Sequence, residues 1–227
     1  MVPSIASAAW LVARKDLAIE FRTRTAFLSS VVFAVLGLAI FYFAWSSSAV
    51  AAIDLAPGVI WVIFIFSSIL AIQRSFAVEL PERAIDGLLT SPIDREAIYL
   101  GKFLANVVFV GAIQLVAIPA AALFYNLPFG RTLPVLFSIA ALATIGLVAV
   151  GTLFASMAVN TRLAELLLPM LSLPFFLPIV IAAGMTTQRL LAGRPFSESL
   201  PWLKMLIAFD CIFLTACTLA FPYTLEE

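Results

Sequence analysis

The 227-residue chain contains no histidine and only two cysteines. It therefore has no H-E-x-x-H zinc site and no cysteine-rich metal cluster. Cys211 and Cys217 are both in the last apolar run. Six residues turn a helix by about 600°, so the two thiols face different ways and read as small packing residues. No G-x-x-x-x-G-K-[ST] loop occurs. The only Gly-Lys pair, Gly101-Lys102, is followed by Phe103 and lacks the upstream glycine. A G-x-S-x-G elbow is missing as well. Charge is scarce, at 11% of residues against about 25% in a soluble domain. No catalytic residue, metal site or covalently bound cofactor is expected, and no nucleic-acid partner. The chain is expected not to be an enzyme, with any ATP hydrolysis on a separate ATPase subunit.

What the chain has is apolar length. Hydrophobic residues make up 63% of it, and mean hydropathy is +1.13. A helix needs about 20 mostly apolar residues to cross a bilayer. Six such runs are read: 26–45, 57–72, 103–125, 134–158, 166–185 and 202–223. The runs are continuous rather than alternating, which argues against a transmembrane barrel. The expected fold is an all-α membrane protein with six transmembrane helices in one domain, 1–227. The fifth run carries Pro169, Pro174 and Pro178 and is expected to be kinked or broken.

Positive charges are uneven. Arg14, Lys15, Arg22, Arg24, Arg74, Arg83, Arg95, Lys102 and Arg162 fall on one side of this topology; Arg131, Arg189 and Arg194 fall on the other, with Lys204 just inside the sixth run. The positive-inside rule places both termini and the segment Glu79–Lys102 in the cytoplasm. The opening residues are not expected to form a cleavable signal. Instead, residues 4–24 read as a helix lying on the inner membrane surface. Trp10, Ala13, Leu17 and Phe21 share one face, Lys15 and Arg22 lie opposite, and Glu20 and Arg24 form an i, i+4 pair.

The segment Glu79–Lys102 reads ELPERAIDGLLTSPIDREAIYLGK, with eight charged residues among 24. Leu80, Ala84, Ile85, Leu88 and Leu89 recur at helical spacing, while Glu79, Glu82, Arg83 and Asp86 fall largely elsewhere. Gly87 lies within the same piece. Ser91-Pro92-Ile93-Asp94 then reads as a new helix start of the S-x-x-D type, continuing through Arg95, Glu96 and Tyr99 into the third run. A short amphipathic helix joined to a span suits transmission of force from a cytoplasmic partner. An interfacial loop without a partner is the alternative. Glu79 and Glu82 read as surface charge.

Asp210 stands inside the last run, where a carboxylate costs about 2.5–3.5 kcal/mol on insertion scales. It should face a partner or a cavity, as part of a polar path or subunit contact, or be a protonated acid of no special role. Trp45, Trp61 and Trp202 fall near expected interfaces, where such rings collect.

The run Leu55–Phe76, LAPGVIWVIFIFSSILAIQRSF, followed by the charged segment, resembles the CcmB family, heme exporter protein B. The matching features are RKDLAIEFRTR (Arg14–Arg24), Ala56-Pro57-Gly58 with Trp61, Ser67-Ser68, Leu88-Leu89 with Pro92, and the proline-spaced LLLPMLSLPFFLP (Leu166–Pro178). Gln73 stands where the family commonly has Glu, Gly87 lies later than the family's glycine, the loop Asn160–Glu165 is less basic, and Asp210 is outside the pattern.

The resemblance implies an ABC-2-type permease of six spans with an N-terminal interfacial helix and a cytoplasmic coupling helix, working as a homodimer in the bacterial inner membrane. Its implied partners are a CcmA-like ABC ATPase, a CcmC-like heme-handling membrane subunit and a small CcmD-like subunit. The implied role is heme export or release of a heme-loaded chaperone in c-type cytochrome maturation. Glu79, Leu80, Glu82, Arg83, Asp86, Gly87, Leu88, Leu89, Ser91 and Pro92 would couple to the ATPase. Pro57, Trp61, Ser67, Ser68, Pro169, Pro174, Pro178 and Asp210 are candidates for a translocation path or hinge. Lacking histidine, the chain could meet heme as a transported substrate only through apolar and aromatic packing (it has 20 Phe) or Met or Tyr ligands. An ABC-2 permease for a lipid, drug or polysaccharide, or a non-transporting assembly scaffold, stays open as an alternative.

Overall fold

A computed structural model describes residues 4–45, 51–77, 93–158 and 164–224. Among these are seven helices and no strand: α1 (Ile5–Thr23), α2 (Thr25–Trp45), α3 (Ala52–Ala77), α4 (Arg95–Phe124), α5 (Thr132–Ala158), α6 (Ala164–Leu191) and α7 (Phe196–Thr224). The six from α2 to α7 are each long and apolar enough to cross a membrane. The shortest, α2, has 21 residues, a length of about 31 Å at 1.5 Å per residue, matching a hydrocarbon core of about 30 Å.

Four of the six spans, α3, α4, α6 and α7, extend well past the limits set by hydropathy. α3 begins five residues before Pro57 and ends five after Ile72. Hydropathy marks where a helix leaves lipid, whereas the helix itself stops where its backbone is capped. At the end of α4 the Leu127 N–H reaches Ala122 O at 2.9 Å, with Asn126 between them at φ 50°. This is a Schellman closure, and asparagine tolerates the left-handed position well. The start of α4 differs from the S-x-x-D reading: the helix opens at Arg95 with Asp94 at its cap, and Asp94 makes no side-chain capping bond.

The fifth span, expected to be kinked or broken, is not broken. Despite Pro169, Pro174 and Pro178, α6 is one continuous helix of 28 residues rather than a broken or re-entrant one. Each proline removes one backbone bond, but α3, α5 and α7 all pack along α6 and support it.

The helices are not equivalent. Two-thirds of the apolar window of α3 and over half that of α5 are buried, against 22% for α2 and α7. α3 and α5 are therefore central and α2 and α7 peripheral. Leu28, Val32, Leu36, Ile40 and Phe43 form an exposed stripe along α2, the outward face expected of a span that meets lipid. α5 is built for close approach, with Ala140, Ala143, Gly146, Ala149, Gly151 and Ala155 all buried. Small residues substitute for a hydrophobic driving force that helices in lipid lack.

The ends of α3, α5 and α7 and the beginnings of α2, α4 and α6 share one side of the bundle, here termed the base. α1 lies there against α4 and only touches α2. The face read from Trp10, Ala13, Leu17 and Phe21 is divided, with Ala13 buried and Leu17 half-buried. Ala8, Ala9, Val12 and Ala13 are buried, while Trp10 and Phe21 are exposed. The small-residue side packs on protein and the large rings point away. The expected Glu20–Arg24 pair is not formed among the described residues: Arg24 Nε–H donates to Phe21 O at 3.4 Å, and Glu20 is used elsewhere. Its Oε1 accepts the Phe27 N–H at 2.9 Å, and Arg24 adopts φ 55° to turn the chain into α2.

Candidate functional site

The coupling residues Glu79, Leu80, Glu82, Arg83, Asp86, Gly87, Leu88, Leu89, Ser91 and Pro92 lie outside the described residues. The described chain re-enters at Ile93, and α4 starts two residues later.

The eight path or hinge candidates do not gather at one cavity. Trp61 is fully buried, not interfacial: its Nε1–H donates to Thr187 Oγ1 of α6 at 3.0 Å, and its ring meets Phe64 edge-on at 5.6 Å. The real start of α3 at Ala52 puts Trp61 in the third turn, well inside the bundle. Pro57 is buried near the same end. Ser67 and Ser68 are buried, but their hydroxyls donate to Ile63 O (2.8 Å) and Phe64 O (2.6 Å) on their own helix. They satisfy themselves rather than line a polar route. Pro174 is exposed, and Pro169 and Pro178 are half-buried.

Asp210 sits at the middle of α7, not near its start, because α7 begins at Phe196. It is buried, and neither carboxyl oxygen has a hydrogen-bond partner among the described residues. It rests on α5 at Gly146, where an added Cβ would lie 2.6 Å from Asp210 Oδ1. Lys204 is exposed and stands apart from it.

The most organised polar region is one that sequence reasoning treated only as a positive flank. Lys102, near the base of α4, is 2% exposed. Its Nζ lies 3.3 Å from Asp16 Oδ2 of α1, and Lys15 Nζ lies 3.0 Å from the other oxygen. Asp16, Glu20, Ser75, Asn106 and Phe109 line a small, partly open cleft between α1, α3 and α4. Above Lys102, bonds run from α4 to α5: Tyr99 Oη–H to Ala149 O (3.0 Å), Asn106 Nδ2–H to Thr152 Oγ1 (3.1 Å) and Gln114 Nε2–H to Thr144 Oγ1 (2.7 Å). Beside it, Arg95 Nη1–H donates to Pro222 O of α7 at 3.0 Å. The signal was present in sequence, since Asn106 and Gln114 are eight residues apart in an apolar run and so share a face.

These contacts hold helices in register and present no nucleophile paired with a base. The arrangement is that of an all-α membrane permease, a body of packed spans whose polar groups serve its joints. The chain belongs to the CcmB family: the family's sequence model, described as CcmB protein, matches residues 7–227. Among its relatives, heme exporter protein B of Pseudomonas aeruginosa is 28% identical over 198 residues, covering 87% of this chain and 88% of the relative. Heme exporter protein B of Paracoccus denitrificans is 31% identical over 166 residues, covering 73% and 71%. That of Rhodobacter capsulatus is 31% identical over 135 residues, covering 60% and 62%. The protein is thus a multi-pass membrane protein of that family.

Proposed function

We propose that the chain is the permease subunit of an ATP-driven complex that exports heme, or releases a heme-loaded chaperone, in c-type cytochrome maturation. The observation that carries this reading is the near full-length match to a relative named heme exporter protein B. The sequence adds that no phosphate-cradling loop is present, so ATP binds a separate, CcmA-like subunit. A CcmC-like heme-handling subunit, a small CcmD-like subunit and a second copy of this chain complete the complex. It lies in the bacterial inner membrane with both termini and residues 79–92 in the cytoplasm, as the distribution of Lys and Arg supports.

In this reading, closure of the ATPase pushes on Leu80–Ser91, which join α3 to α4, and the two spans shift against their neighbours. Deleting the gene should abolish all c-type cytochromes, read by heme staining of membranes, and an ATPase-dead partner should do the same. Altered drug sensitivity or envelope with normal cytochromes would instead identify a different exported substrate. Normal cytochromes with a dead ATPase would identify a scaffold.

Reversing charge at Glu82 and Asp86 tests the lever. The double variant should insert normally, yet lose the ATPase on purification and lose cytochrome yield. Normal co-purification together with normal ATP hydrolysis would exclude the assignment.

A further inference from the structure

We propose that α1 is a second arm of the drive: a latch of Gly101, Lys102 and Asp16 fastens α1 to the base of α4, so that α1 carries the displacement of α4 to α2. The proposal rests on the reading that ATP hydrolysis moves α4 through the residues preceding it.

Three features of the base build the latch. First, α4 approaches α1 as closely as a helix can. A Cβ on Gly101 would lie 2.6 Å from Val12 Cβ and 2.7 Å from Ala9 O. The latter is backbone and cannot swing aside, so only glycine fits this contact. Second, the small face of α1 (Ala8, Ala9, Val12, Ala13) is smooth and would allow α1 to slide along α4. The buried Lys102–Asp16 pair opposes that freedom, because a slip would pull a 2% exposed ammonium away from its carboxylate. Third, the far end of α1 is joined to α2 by more than chain connectivity. Glu20 Oε1 accepts the Phe27 N–H in the first turn of α2, across the left-handed Arg24.

The path therefore runs from residues 78–92 into α4, across the latch to α1, and through the Glu20–Phe27 bond to α2. An interfacial helix that merely floated on lipid would need none of these contacts. α2 is among the least buried spans, so less of its surface is held by the other spans than in α3 or α5. The Arg95–Pro222 bond ties the same base to α7, which places α4 at the centre of what moves.

Lys102→Met tests the latch without emptying the site. The side-chain stem remains, and Asp16 keeps Lys15 at 3.0 Å. The full complex is assayed in membranes. Amide exchange over residues 5–23 should quicken about tenfold as α1 loosens, with exchange in α5 and α6 unchanged. Cytochrome yield per assembled complex should fall roughly three- to tenfold while ATP hydrolysis continues. The charge-swapped double variant, Asp16→Lys with Lys102→Asp, should restore both readouts. Unchanged exchange in Lys102→Met overturns the latch, and faster exchange with unchanged yield overturns the relay. Failure of the swap to restore either readout also overturns the proposal. A parallel strain with an inactivated ATPase separates the two levels. Full yield there removes the ATP-driven reading and the relay with it. Lost yield there beside normal yield in Lys102→Met removes the relay alone.

Discussion

Trp61→Ala is expected to destabilise the bundle by about 3–5 kcal/mol, the range for emptying a buried tryptophan site. The indole is completely enclosed and fills the joint between α3 and α6. Lipid tails are as apolar as the protein interior, so little of the loss comes from transfer out of water. It comes from the void, whose walls lose their dispersion contacts. Phe64, which meets the indole edge-on, would lose a partner. Trp61→Phe separates volume from hydrogen bonding. Thr187 Oγ1 would still donate to Ala183 O at 2.8 Å, so only the indole N–H bond and a small void are lost. An interhelical bond in a membrane averages about 0.6 kcal/mol. Equilibrium unfolding in mixed detergent should therefore rank wild type, Trp61→Phe and Trp61→Ala in that order, with the larger gap at the second step. Equal losses in the two variants would assign the joint to its hydrogen bond, and no loss in either would mean that α3 and α6 are held elsewhere. α3 leads directly into residues 78–92, so a loose α3–α6 joint would also let a push at the base dissipate.

The placement of Trp61 shows what could and could not be read in the sequence. The six spans were legible because each contains an uninterrupted apolar window, and the number of spans does not depend on their ends. The ends were not legible. Ala52-Ile53-Asp54 looks like loop by hydropathy, yet it forms the first turn of α3 and moves Trp61 from the membrane interface to the core. Similarly, the amphipathic period of α1 was visible, but not which side met protein. α4 accepts the small residues Ala8, Ala9, Val12 and Ala13 because only they permit the approach at Gly101, and Trp10 and Phe21 stay exposed. Proline content predicted a kinked or broken fifth span, and the break is not seen: α6 runs unbroken among its neighbours. Lys102 looked like one more positive charge flanking a span. Its meaning depends on Asp16, 86 positions earlier, and no local pattern carries that pairing. The family resemblance rested on residues 14–24, 55–102 and 166–178, and the family match spans residues 7–227.

Gly146→Leu is expected to prevent stable assembly of α5, α6 and α7. Even a single Cβ at position 146 would lie 2.6 Å from Asp210 Oδ1, 2.9 Å from Ile179 Cδ1 and 3.2 Å from Phe209 Cδ1. Three helices thus meet at one hydrogen atom. Overpacking a tight core costs about 1–3 kcal/mol, and sometimes more, and leucine brings three further carbons. Gly146→Ala is the graded version, and its cost should depend on what lies opposite. The shortest contact is with the carboxylate, so in an Asp210→Ala background the alanine should lose at least half of its penalty. The remaining neighbours are the mobile tip of Ile179 and the edge of Phe209. Residues in contact couple by about 0.5–3 kcal/mol in such cycles, which unfolding curves of the four proteins can resolve. Asp210→Asn keeps the shape and should leave the Gly146→Ala penalty unchanged. Gly111→Ala, where an added Cβ meets nothing within 4 Å, should be neutral. If the costs of Gly146→Ala and Asp210→Ala simply add, the acid is not the group for which Gly146 makes room. If they couple as expected, the glycine on α5 exists to seat an acid in mid-span. Asp210 is then a fitted part of the α5–α7 joint, its carboxyl group seated against Gly146 of α5.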